Sequence, residues 1–159
     1  MVHPDDALTI LNEIKKDFQQ FWESKGNVSE ADTRAKIIDK ILTKVLGWPE
    51  QAIQREDRVL EGYLDYKLEV HKKPLITVEA KKAGTPFVFP IQERVHRSLK
   101  LCGSILTIPE ISEAISQVRK YCDDAAIRYA VATTGHAWII FRAIREDMRW
   151  RDGNALVFP

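Results

Sequence analysis

The chain has 159 residues, 45% hydrophobic and 30% charged, a size and balance that suit one globular domain with a single core. Lys plus Arg (24) nearly cancels Asp plus Glu (23), so the formal net charge is +1 and a polyanionic partner must be held by a local basic patch. Two cysteines, Cys102 and Cys122, form no CxxC pair, which excludes the ligand sets of zinc fingers, zinc ribbons and iron–sulfur sites. Both thiols are expected to be buried small apolar residues in a reducing compartment. The start, Met1-Val2-His3-Pro4-Asp5-Asp6, lacks the apolar core of a signal peptide, and no apolar run approaches membrane-spanning length. The expectation is a soluble, cytoplasmic protein with no membrane partner.

Leu8, Leu11, Ile14, Phe18, Phe21 and Trp22 recur at helical spacing over residues 5–25, with Asp5 or Asp6 as cap and Gly26 as stop. Ser29-Glu30-Ala31-Asp32 caps a second helix, whose apolar stripe is Ile37, Ile38, Ile41, Leu42, Val45 and Leu46; Gly47-Trp48-Pro49 ends it. Residues 53–60 suit a charged edge strand. Over 62–70, Leu64, Tyr66, Leu68 and Val70 alternate with Tyr63, Asp65, Lys67 and Glu69. His71-Lys72-Lys73-Pro74 predicts a turn. Residues 75–81 form a second alternating strand, with Ile76, Val78 and Ala80 on one face and Thr77, Glu79 and Lys81 on the other. The two strands make a hairpin.

Gly84, Pro86 and Pro90 punctuate a loop; residues 91–101 suit a helix carrying Arg94, Arg97 and Lys100 along one side. A firmer helix covers 111–124, with Ile111, Ala114, Ile115, Val118 and Cys122 as its core face. Residues 128–134 and 137–141 read as strands joined by a turn at Gly135, and the remaining tail is rich in arginine. The order of elements predicts one α/β domain over residues 1–159, built on a mixed sheet of about five strands flanked by helices.

Chemistry concentrates on the hairpin. A three-residue loop, His71-Lys72-Lys73, places Asp65 directly opposite Glu79, with β-carbons ~5 Å apart, where like charges repel. Lys81, two residues past Glu79, projects from the same face. Two carboxylates with room for water suit Mg²⁺ or Mn²⁺, and a neighbouring lysine can orient or deprotonate water and stabilise charge on a phosphate. The bland reading of Glu-x-Lys in a strand is a solvated face with salt-bridge ladders.

Asp65 followed by Glu79-Ala80-Lys81 resembles the signature of the PD-(D/E)xK nucleases, the restriction-endonuclease-like superfamily. The chain is similar in particular to the N-terminal nuclease domain of type I restriction enzyme R subunits and related bacterial defence proteins. The resemblance runs through Ser29-Glu30-Ala31-Asp32-Thr33-Arg34, Leu46-Gly47-Trp48, Leu64-Asp65-Tyr66, Val78-Glu79-Ala80-Lys81, Gln117-Val118-Arg119-Lys120-Tyr121 and Tyr129-Ala130-Val131-Ala132-Thr133-Thr134-Gly135, then Trp138-Ile139-Ile140-Phe141. It departs at Thr134, where the family usually has Asn.

The resemblance implies a metal-dependent DNA endonuclease of prokaryotic restriction or antiviral defence. Asp65, Glu79 and the backbone carbonyl of Ala80 would hold Mg²⁺ or Mn²⁺, Lys81 would be the catalytic lysine, and Glu30 would support the metal shell from the second helix. Gln117 and Tyr121 match a Gln-x-x-x-Tyr motif that orders the active site and DNA. Helicase or translocase and specificity modules, in the same or another chain, are the implied partners besides DNA. Arg94, Arg97, Lys100, Arg119, Arg142 and Arg145 are the candidate DNA contacts, although interleaved Glu93, Glu146 and Asp147 also fit solvated faces. No Walker A loop and no nucleophile elbow occur. The alternative is a nucleic-acid- or protein-binding module that keeps the fold and does not cut.

Overall fold

The computed structural model describes residues 3–59, 62–89 and 97–159. Helix α1 (Pro4–Lys25) is capped by His3, whose side chain accepts from the Asp5 N–H; Asp5 and Asp6 instead occupy the first turn, where they complement the helix dipole. Gly26, at φ 73°, stops it. Helix α2 (Glu30–Thr33) opens on a reciprocal capping box between Ser29 and Asp32. It widens into two π-helical turns, Arg34–Ile38 and Ile41–Val45, which the apolar spacing did not signal. Ile37, Ile38, Ile41 and Leu42 are buried as the stripe requires, whereas Leu46 is left 58% exposed.

Among the described residues the sheet has seven strands, where about five were expected: β1 (Ile53–Val59), β2 (Gly62–Val70), β3 (Lys73–Ala80), β4 (Ser98–Lys100), β5 (Tyr129–Thr133), β6 (Trp138–Arg142) and β7 (Asn154–Phe158). Their spatial order is β1-β2-β3-β5-β6-β7-β4. All pairings are antiparallel except β3 with β5, which is parallel and is bridged by α3 (Pro109–Ala125). The architecture is therefore α/β with a mixed sheet. Two strands escaped the sequence reading because they are short and lie next to arginine-rich segments. Residues 98–100 form β4 rather than helix, so Arg97 and Lys100 do not share a helical side; residue 94 lies outside the described residues.

Both sheet faces are covered. On one, Tyr66, Leu68, Val78 and Val131 pack against Ile14, Phe18, Ile37 and Leu42. On the other, Ala130, Ala132, Ile139 and Val157 pack against Ile111, Ala114, Ile115 and Val118 of α3. Cys122 belongs to this second core, but Cys102 is exposed, contrary to expectation, because it follows β4 at the sheet margin. Gly135 carries φ +82°, and a Cβ there would lie 2.6 Å from Ile37 Cγ2, so only glycine lets the β5–β6 turn seat on the helical layer. Among the described residues no helix is long and apolar enough to cross a membrane.

Candidate active site

The β2–β3 hairpin turns through two residues, His71 and Lys72, both with positive φ, rather than through three. Near the turn Val70 pairs with Lys73 and Glu69 with Pro74. The register then shifts between Leu68 and Glu69, leaving Leu75 unopposed, and continues as Leu68–Ile76, Lys67–Thr77 and Tyr66–Val78. Without this bulge the two-residue turn would align Asp65 with Val78, and the carboxylates of Asp65 and Glu79 would emerge from opposite faces. The bulge restores the parity that the longer loop was expected to supply.

Beyond the Tyr66–Val78 pair the ladder ends, so Asp65 and Glu79 are not ladder partners as the hairpin arithmetic predicted. The Asp65 carboxylate fills the gap instead: Oδ2 accepts from the Ala80 N–H at 2.8 Å. Oδ1 accepts from Arg34 Nη1 at 2.7 Å, and Arg34 Nη2 also donates to Glu56 Oε1 at 2.9 Å. Glu56 interrupts the β1–β2 register opposite Asp65, at φ 53°, an unfavourable backbone for a residue with a Cβ. Sequence reasoning missed both Arg34 and Glu56. Neither sits in a periodic pattern that points at Asp65, and 31 residues separate Arg34 from its partner.

Glu79 is 3% exposed, level with Ala132 of β5. Its Oε1 accepts from Lys81 Nζ at 2.9 Å, while Oε2 is buried and has no hydrogen-bond partner among the described residues. Burial, with the Asp65 charge second, pushes its carboxyl up to about 7. Burial likewise raises Asp65, against the pull of the Ala80 N–H and Arg34. Burial would lower Lys81, but its bond to Glu79 and the surrounding carboxylates outweigh this and hold the ammonium protonated. Lys81 Nζ also donates to Gln117 Oε1 at 2.7 Å, and Gln117 Nε2 donates to the Tyr121 hydroxyl at 3.1 Å. The i, i+4 pair on α3 thus forms a relay that ends on the lysine. Glu30, exposed in the first turn of α2, is raised by partial desolvation and by Asp65, which places it within the field of the cluster.

The basic candidates lie elsewhere. Lys100 is on β4, at the far margin of the sheet and four strands from β3, about 19 Å at ordinary strand spacing. Arg97 lies just before β4 and stacks on Phe158. Arg142 pairs with Tyr129 at the start of β5, whereas the Lys81 N–H meets Thr133 at its end. Arg119 lies on α3 two residues from Gln117, about 200° around the helix, and meets Asp123 and Trp150. Arg145 is held by Asp147. The structure does not bring these residues to the carboxylates.

Two buried carboxylates, one protonated lysine and an amide–phenol relay can hold a hard cation weakly and present positive charge to an anionic substrate. Among the described residues no group of three or more His, Cys, Asp or Glu side chains is arranged to hold a metal by itself. Compared with protein-family models, with curated proteins and with solved structures, the chain matches none.

Proposed function

We propose that this chain is a metal-dependent DNA endonuclease of the restriction-endonuclease-like type, acting in prokaryotic restriction or antiviral defence. The observation that carries the reading is Glu79 Oε2, a buried carboxylate oxygen without a partner, on a residue whose other oxygen is held by Lys81. A buried acceptor of this kind costs stability unless something occupies it, and a hard divalent cation fits an all-oxygen donor set. Glu79, Asp65 and the Ala80 carbonyl would hold Mg²⁺ or Mn²⁺, with Glu30 acting through water. When bound, the cation would polarise a phosphoryl oxygen and acidify water. Lys81 supplies a fixed positive charge beside the reacting phosphate, oriented by Gln117, which Tyr121 holds in turn. Since Lys81 is held protonated, its role is electrostatic stabilisation and water orientation rather than proton abstraction. Asp65 would offer Oδ1 to the cation in place of Arg34, from which it now accepts. DNA delivery by a translocase in the same or another chain is part of the reading.

A second reading, a binding module that does not cut, draws on one observation: both Asp65 oxygens already accept from Arg34 and Ala80. A cleavage assay on supercoiled plasmid and single-stranded DNA with Mg²⁺ and Mn²⁺ separates the two. Metal-dependent cleavage that vanishes in Glu79→Gln supports the nuclease; metal-dependent binding without cleavage at any concentration supports the module.

A further inference from the structure

Near the start of β5, at the strand end away from Lys81, lies a cavity of about 570 Å³, within the size range of small-ligand pockets. Four guanidiniums line it, Arg119 from α3 and Arg145, Arg149 and Arg151 from the chain after β6. We propose that this cavity binds a phosphate group, separately from the carboxylate cluster.

The charge balance leaves cation uncompensated. Arg145 is gripped by Asp147 in a two-point contact at 3.0 and 2.7 Å, and Arg149 by Asp152 at 2.8 and 3.2 Å. Arg119 touches Asp123, but its Nε is buried and donates to nothing among the described residues. Arg151 has no carboxylate partner among them; it stacks on one indole, Trp150, which Arg119 also approaches. Burial lowers Arg119 against the opposing pull of Cys122, and the neighbouring Arg151 adds a smaller lowering. A buried guanidinium N–H without an acceptor costs free energy that an incoming oxyanion recovers.

The cavity is also built, not incidental. Gly153 is buried, and a Cβ there would stand 2.8 Å from Arg145 Nη1, so the guanidinium that Asp147 holds lies directly against the glycine. Arg142 donates to the Ile144 carbonyl at 3.2 Å and fixes the loop that carries Arg145. Asp147 and Asp152 take the planar forks of Arg145 and Arg149, which matches carboxylate geometry. The donors left over come from two separate elements, α3 and the Trp150–Asp152 turn, and they suit a tetrahedral oxyanion that accepts from several directions. The ligand is the phosphate of a nucleic-acid backbone or of a free nucleotide.

No residue of the cavity belongs to the carboxylate cluster, although Arg119 and Arg145 are two of the candidate DNA contacts, so the test reads phosphate binding apart from cleavage. The test is calorimetry of the whole chain in EDTA, with inorganic phosphate, AMP and a 20-base-pair duplex as probes, so that no cleavage occurs. Wild type should bind inorganic phosphate. Arg151→Gln, at an exposed position, should weaken it at least fivefold with an unchanged melting curve, and Arg119→Gln at least tenfold. If the same variants weaken the duplex and phosphate competes with it, the ligand is a backbone phosphate; if they weaken AMP alone, it is a free nucleotide. Absence of phosphate binding by the wild type, or wild-type affinity in both Arg151→Gln and Arg119→Gln, overturns the proposal. A chain that binds phosphate here and never cuts DNA overturns only the nuclease reading.

Discussion

Arg34 Nη1 donates to Asp65 Oδ1 at 2.7 Å, so the guanidinium stands on the carboxylate that the proposed cation must share. The side chains are 22% and 12% exposed, dry enough for the contact to matter in both states of the site. Arg34 acts as a resident counter-charge: it stabilises the metal-free cluster and would compete with the proposed cation.

Arg34→Met should therefore tighten Mn²⁺ binding severalfold while lowering metal-free stability by about 1–3 kcal/mol, the scale for removing one partner of a partly buried charged pair. Calorimetry and urea denaturation read the two effects separately. Weaker Mn²⁺ binding in the variant would show that Arg34 orients Asp65 for the metal instead of opposing it.

The pH dependence of stability follows from Glu79. Its folded-state value of about 7 lies above the ordinary 4.5, so between these values the folded chain holds the proton more firmly than the unfolded one. The contribution is present in full below pH ~4.5 and is lost as pH rises through about 7, amounting to about 3 kcal/mol. Glu79→Gln should remove this decline between pH 5 and 8, and Mg²⁺ should stabilise the wild type more at pH 8 than at pH 5. Identical pH profiles of urea midpoint in both proteins would remove Glu79 as the source.

Lys81→Ala should slow single-turnover cleavage by about two to four orders of magnitude with little change in DNA affinity, the scale for a lost electrostatic group. Lys81→Arg keeps the charge but misplaces the donors and should recover only part of the rate. Gln117→Leu should fall between them, since it leaves Lys81 in place without its second anchor. Wild-type rates in all three would leave Lys81 as nothing more than a partner for Glu79.

Gly135→Ala should cost about 1–3 kcal/mol, because the new methyl meets Ile37 and the residue sits at positive φ. Thermal unfolding is the check. A cost below a few tenths would mean that the turn and the helical layer move apart freely.

How far the sequence carried the fold depended on the kind of signal. Strict alternation located β2 and nearly all of β3, and the 3.6-residue stripe located α3 with its buried face, because apolar side chains recur with each element's own period. β4 and β7 carried no such signal: three residues cannot show alternation, and β7 follows a run of arginines. The site was partly legible. Residue type and parity brought Asp65, Glu79 and Lys81 to one region, and helical spacing put Gln117 beside Tyr121. That Gln117 touches Lys81 depends on how α3 crosses β3, which no local pattern encodes. Helical spacing groups Arg94, Arg97 and Lys100, and composition singles out the arginines of the tail; neither says which end of a strand a loop will reach.

The unopposed Leu75 has a consequence for how this hairpin tolerates change. Deleting a residue at the tip, or smoothing out the bulge, shifts the frame of β3 by one and turns Glu79 away from Asp65, yet leaves a hairpin able to form. Making both changes together returns the frame, much as a second frameshift suppresses the first. A one-residue change in length at His71 and Lys72 is thus compatible with an intact site only when it is matched at Leu75, and a hairpin misaligned by one change is realigned by the other.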